Sequence, residues 1–173
     1  MIPYLSEQDI ALDLATKGKH SALTKIAVRM ARRAGLDEQM VLDSLWRSEG
    51  FGSTGIGRGV ATPHALFDAI SSPMASFTRL HPPVDFGGPD DDPVDIVYTV
   101  LWPRSAVSAF LPALSQVCRI LRTPRIREEL RLAHSGAEVM AILNAGPSLG
   151  IAIGPRPCQA EPGAVVPTQL NDA

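Results

Sequence analysis

Three features of this sequence predict an α/β fold. Apolar residues recur at three- and four-residue spacing early and late in the chain, two runs rich in β-forming residues occupy its middle, and turn or cap residues separate them. In chain order, Leu23, Ile26, Ala27, Met30, Ala31 and Ala34 place an amphipathic helix from about Ser21 to Ala34, and Gly35 ends it. Asp37 is the expected N-cap of a second helix through Val41, Leu42, Leu45 and Trp46, which carries Arg47 and Glu49 toward a glycine-rich loop. Met74 to Leu80 and Val94 to Trp102 read as strands. Between them lies a turn-rich stretch with Pro82, Pro83, Gly87, Gly88, Pro89 and three consecutive aspartates, which fits a solvated loop better than a metal site.

After Pro103, Ser105 is a candidate cap for a long helix whose apolar stripe is Val107, Phe110, Leu111, Leu114, Val117, Cys118 and Leu121. Pro112 limits it. A helix-interior proline costs about 3 kcal/mol, so the regular helix is expected to begin near Leu111. Thr123-Pro124 supplies a cap and first residue for the next helix, and Ser135 with Glu138 forms a capping-box pattern for the last. The element order is mostly helix, helix, strands, helices. From about Asn144 the pattern fades, and nine of the last thirty residues are Gly or Pro. This divides the chain into one domain over 1–145 and a Gly/Pro-rich tail over 146–173 that is expected to be disordered, with one short apolar run from Leu149 to Ile153.

With 173 residues, 45% hydrophobic content and a net charge of −2, the chain suits one core and shows no basic face for nucleic acid. Cys118 and Cys158 are too far apart in sequence for a metal pair and too few for a disulfide framework, as expected in a reducing compartment. Neither a signal-peptide pattern nor a run of membrane-spanning length is present, so a cytoplasmic location without membrane insertion is expected. His20, His81 and His134 have no helical pairing with another histidine or cysteine, and no chemistry is assigned to them. Arg119, Arg122, Arg125, Arg127 and Arg131 spread around two helices and read as a solvated face rather than a docking patch.

The stretch Gly52-Ser53-Thr54-Gly55-Ile56-Gly57-Arg58-Gly59-Val60-Ala61-Thr62-Pro63-His64 carries the most chemistry. Four glycines in eight residues suit a loop whose N–H groups converge on an anion, with the Ser53 and Thr54 hydroxyls as further donors. Pro63 stiffens the chain before His64. The segment lacks the closing Lys-Ser or Lys-Thr of a Walker loop and the spacing of a dinucleotide fingerprint. On residue types alone a glycine-rich hairpin ending in an incidental histidine is slightly favoured.

The same segment closely resembles the active-site motif of the type-2 enzyme IIA domains of the bacterial phosphoenolpyruvate-dependent phosphotransferase system, in particular the nitrogen-regulatory branch. Glu49, Gly52 to Gly57, Gly59, Pro63 and His64 fall on the family pattern without a gap. Asp9 to Leu14 resembles the family's opening segment, Pro93-Val94-Asp95 through Pro103 its later central strand, and Leu114 to Val117 its following helix, so the likeness spans roughly residues 3 to 145. The resemblance implies a mixed β-sheet flanked by helices. It also implies a phosphocarrier that receives a phosphoryl group on His64 from a histidine phosphocarrier protein, with no metal, nucleotide or other cofactor. Regulatory members of the family act on target proteins such as potassium transporters and sensor kinases.

An ordinary histidine, with a pKa near 6.5, is about three quarters neutral at pH 7 and able to attack phosphorus. The catalytic residue implied is His64, with Gly52, Ser53, Thr54, Gly55, Gly57 and Arg58 binding phosphate and Arg47 and Glu49 in support. Four departures from the family pattern stand out. Its arginine before Glu49 is Ser48, with Arg47 displaced by one residue; its loop asparagine is Arg58; its second histidine is Phe110; and the glycine after Pro-His is Ala65. Arg58 is a candidate for restoring a cation near the phosphate, and Ala65 places a Cβ where φ is expected to be unusual. Two alternatives follow: a degenerate IIA-like binding module without phosphotransfer, and a sugar-specific IIA component.

Overall fold

Six strands form one mixed sheet in the computed structural model, which describes residues 4–145. The elements are β1 (Ile10–Leu14), α1 (Lys19–Ala34), α2 (Glu38–Gly50), β2 (Gly55–Gly57), β3 (Val60–Ala61), β4 (His64–Phe67), β5 (Met74–Val84), β6 (Val94–Pro103), α3 (Phe110–Leu121), α4 (Pro124–Leu132) and α5 (Gly136–Ala145). The sheet order is β1-β5-β6-β3-β2, with β4 also on β6. β1 runs parallel to β5, β5 antiparallel to β6, and β3 and β4 parallel to β6.

Strand β6 is central and buried along almost its whole length, and its side chains alternate between two cores. Ile96, Tyr98, Val100 and Trp102 meet Val117, Leu121, Leu130 and Leu143 from α3, α4 and α5. Val97 and Leu101 meet Leu23, Ile26, Met30, Val41 and Leu45 from α1 and α2. The expected α/β sandwich with a mixed sheet and flanking helices is therefore observed. The helix signals also act as expected at several ends. Gly35 takes a left-handed conformation with φ 67° and its N–H donates to Ala31 O. Asp37 Oδ1 accepts from Met40 N at 2.8 Å.

Elsewhere the structure differs from expectation. A strand, β1, precedes the first helix. Trp46 is exposed rather than part of the α2 core and lies edge-on to His20, with ring centroids 5.2 Å apart. β5 continues through exposed His81, Pro82 and Pro83 to buried Val84, and the pairing with β6 is interrupted between Arg79 and Val84. Ser105 caps no long helix. It lies in a 3₁₀ segment, Arg104–Ala109, broken at Ala106, and α3 begins at Phe110. Pro112 thereby falls in the first turn of α3, where a missing N–H costs nothing. Glu138 N donates to Ser135 Oγ, but the reciprocal bond comes from His134 N rather than Ser135 N. The tail and its Leu149 to Ile153 run lie outside the described residues.

Candidate functional site

The residues from Val60 to Phe67 lie along one edge of β6 as two short strands in a single register. Val60 faces Ile96 and His64 faces Val100, with Thr62 and Pro63 between. Pro63 has no N–H to give to the ladder, but its carbonyl accepts from Val100 N at 3.0 Å, so the interruption keeps the alignment. Alternation sends Ala65 and Phe67 into the core beneath α1 and α2. His64 and Leu66 face the other way, toward α3.

The imidazole is held from two sides. Its Nδ1 is 3.0 Å from Thr62 O. A carbonyl only accepts, so Nδ1 carries the proton, and in the neutral ring Nε2 is the nitrogen that keeps a lone pair. The ring centroid of Phe110, itself buried, lies 5.1 Å from that of His64. Thr62 is fixed in turn, because its N–H donates to Thr54 O at 2.9 Å. Thr54 is anchored on Glu49, whose carboxylate accepts from Thr54 N at 3.1 Å and from Thr54 Oγ1 at 2.5 Å and pairs with Lys19. A continuous chain of contacts thus runs from Lys19 and Glu49 through Thr54 and Thr62 to His64.

A cleft of about 270 Å³ opens beside His64, lined from α2 by Ser44, Arg47 and Ser48, and by Phe51, Arg104 and Phe110. The structure brings Arg47 to this cleft, displaced position notwithstanding. Ala65, expected at an unusual φ, lies in β4 with no positive φ and is simply buried.

The glycine segment does not surround His64. Its positive-φ residues, Gly57, Arg58 and Gly59, form the tip of the β2–β3 hairpin. Val60 and His64 are four residues apart along β6, so the tip lies roughly 13 Å down the sheet. The convergent N–H groups are also occupied. Gly52 N donates to Glu49 O, Thr54 N to the Glu49 carboxylate, Gly55 N to Ser53 Oγ, and Arg58 N to Asp90 Oδ2 at 2.6 Å. Ser53 Oγ donates to Phe86 O at 2.7 Å, and the Thr54 hydroxyl is spent on Glu49. The anion in the expected nest is Asp90, whose carboxyl is held below the usual aspartate range first of all by the Arg58 N–H.

Arg58 therefore supplies no cation at His64, correcting the compensation expected from sequence. It lines a separate recess with Arg127 and Arg131. Arg131 is not a solvated helix charge either, for it makes two bonds to Asp95, at 2.7 and 2.9 Å, and one to Arg58 O. Glu49 is a buried strut that holds the glycine-rich segment at Thr54. Arg104 escaped the sequence reading altogether, since an arginine after a strand end carries no motif. Cys118 is half-buried on α3, and burial pushes its thiol upward. Among the described residues, no cluster of His, Cys, Asp and Glu is placed to hold a metal, and no helix is long and apolar enough to cross a membrane.

The α/β sandwich agrees with what known proteins show. The family described as "Phosphoenolpyruvate-dependent sugar phosphotransferase system, EIIA 2" matches residues 3–146. The chain belongs to the type-2 enzyme IIA family. It is similar to the nitrogen regulatory protein of Bradyrhizobium diazoefficiens, 33% identical over 78% of this chain and 88% of that protein. The crystal structure of nitrogen regulatory protein IIA-Ntr from Neisseria meningitidis superposes with a TM-score of 0.77 at 32% identity, covering 80% of this chain and 94% of that one. A fructose-specific EIIA component of Haloferax volcanii is 36% identical over 62% of this chain and 70% of that protein. These likenesses place the IIA chain in the nitrogen-regulatory branch, as a regulatory protein of the phosphotransferase system.

Proposed function

We propose that this IIA chain is a cytoplasmic regulatory phosphocarrier that accepts a phosphoryl group on Nε2 of His64 from a histidine phosphocarrier protein and controls target proteins by its phosphorylation state. The observation that carries this reading is the Nδ1 contact to Thr62 O, which leaves Nε2 as the nucleophile. In the transfer, the Nε2 lone pair forms a bond to phosphorus in line with the breaking phosphorus–nitrogen bond of the donor. The electron pair of that bond returns to the donor imidazole, so no net proton transfer is needed. Arg47 and the hydroxyls of Ser44 and Ser48 stand on the α2 wall to meet phosphoryl oxygens. Gly52, Ser53, Thr54, Gly55 and Gly57 shape the segment and, through Thr54 and Thr62, aim the imidazole. The added charge of about −2 at the cleft is what a target would sense.

A second reading has one observation in its favour. Phe110 lies against the imidazole and offers no hydrogen bond, as suits a binding face that no longer passes phosphate. Incubation with the phosphorylated histidine carrier, followed by intact mass on wild type and His64→Ala, decides between them. One acid-labile phosphate on wild type and none on the variant is the expected result. No gain on wild type with a demonstrably phosphorylated carrier overturns the phosphocarrier reading in favour of the binding module. The fructose-specific relative keeps a sugar-transport IIA as the remaining alternative, which would show as onward transfer to a sugar-specific IIB partner.

A further inference from the structure

We propose that Arg104 is the cation that grips the phosphoryl group of His64, and that Asp68 competes for it. This deepens the phosphocarrier reading and rests on it. Arg104 follows Pro103, the last residue of β6, which pairs with Phe67 at the end of β4. The guanidinium is thereby set on the strand that bears His64: Nη2 lies 3.4 Å from Leu66 O. Leu66 and His64 share one face of β4, about 7 Å apart. Arg104 also lines the His64 cleft, as does Arg47.

Apart from Arg47 on α2, the cations described above are committed elsewhere. Lys19 pairs with Glu49, and Arg58 and Arg131 lie at the hairpin tip. The partners of Arg104 are weak. Its Nε is 3.3 Å from Asp68 Oδ2, and the two side chains are 57% and 81% exposed. An exposed pair of this kind adds little stability. A dianionic phosphoryl group offers a guanidinium two oxygens at once, which a single carboxylate contact at this distance does not. Arg104 therefore exchanges Asp68 for the phosphoryl group. With Arg47, which lines the same cleft, it holds the group.

The probe is inorganic phosphate, titrated while following the ring nitrogens of His64 by NMR in the full-length protein. Saturable shifts are expected in wild type, with affinity falling at least about tenfold in Arg104→Ala, as for loss of a charged hydrogen-bond partner. Arg104→Lys should recover part of it, and Arg58→Ala should match wild type. Asp68→Asn should tighten binding in the wild-type background and not in Arg104→Ala. Phosphate affinity unchanged in Arg104→Ala, or an equal gain from Asp68→Asn in both backgrounds, overturns the assignment. So does a wild type whose His64 does not respond to phosphate. Transfer from the carrier to His64 alongside any of these leaves the phosphocarrier reading standing. Arg104-dependent phosphate binding without transfer keeps the assignment and removes that reading.

Discussion

The two ends of the glycine-rich segment are built to opposite specifications. At the hairpin tip, Arg58 N donates to Asp90, Arg58 O accepts from Arg131, and Gly59 O accepts from both Asp95 N and Ile96 N. At the other end, the His64 ring has one nitrogen on Thr62 O and no partner for the other among the described residues. The glycines sit where the polar groups are already satisfied, and the reactive group sits where one is withheld. Permissive backbone here serves a tight turn, and the turn serves to place a strand whose far end carries the chemistry.

The largest effect is expected where the two ends share a support. Glu49 is 8% exposed and holds Thr54 and Lys19 together. Removing one partner of a buried pair leaves the other polar groups unmatched, so Glu49→Ala should lower unfolding free energy by about 3 kcal/mol in denaturant titrations. Because Thr54 O holds Thr62 N, the same change should disturb the His64 Nδ1 resonance without any mutation in the cleft. A fully stable variant with an undisturbed imidazole would separate the two ends.

What sequence alone made legible follows the same division. α1, α2 and the caps at Gly35 and Asp37 are encoded locally, by periodicity and by residues that act on their own backbone. So are β5 and β6, as apolar runs. β2, β3 and β4 are two to four residues long, too short for any periodicity; β3 and β4 exist because β6 offers them an edge, and β2 because it pairs with β3. His64 was legible as the special residue, but its neighbours were not. Asp90, Arg131 and Arg104 meet the segment from 32 to 73 residues away in sequence or across a strand end, and no local pattern announces such contacts. Proximity in sequence suggested Arg58 for the phosphate; the extended backbone between Arg58 and His64 carries it away.

A smaller effect, confined to the tip, should come from Gly59. Its φ is +77°, and an added Cβ would lie 2.6 Å from Arg131 Nη2 and 2.8 Å from Asp95 Oδ1. Gly59→Ala combines left-handed strain with displacement of an ion pair and should cost about 2–3 kcal/mol. Gly52→Ala meets nothing within 4 Å and no positive φ, and should change stability by less than about 0.5 kcal/mol. Phosphoryl acceptance per folded molecule should survive Gly59→Ala, since the tip touches no part of the cleft. A Gly59→Ala protein that folds fully but no longer accepts phosphate would show that the tip reaches His64 after all.

The gentlest test is acid. Asp90 has its carboxyl held below the ordinary aspartate range by the Arg58 N–H, so its folded-state value is depressed relative to the unfolded chain. A depressed carboxyl stabilises the fold above its unfolded pKa, and that contribution is lost as pH falls through the folded value. The Arg58 amide resonance should therefore move with a midpoint below the usual aspartate titration, and Asp90→Ala should abolish that step. The Nδ1 contact of His64 depends on a backbone carbonyl, which does not titrate, so no matching step should appear in its geometry over that range. An Arg58 amide that titrates at the ordinary aspartate value would mean that Asp90 is not seated in the turn. The glycine tip would then be free to take another anion, and the contrast between its two ends would fail at the closed one.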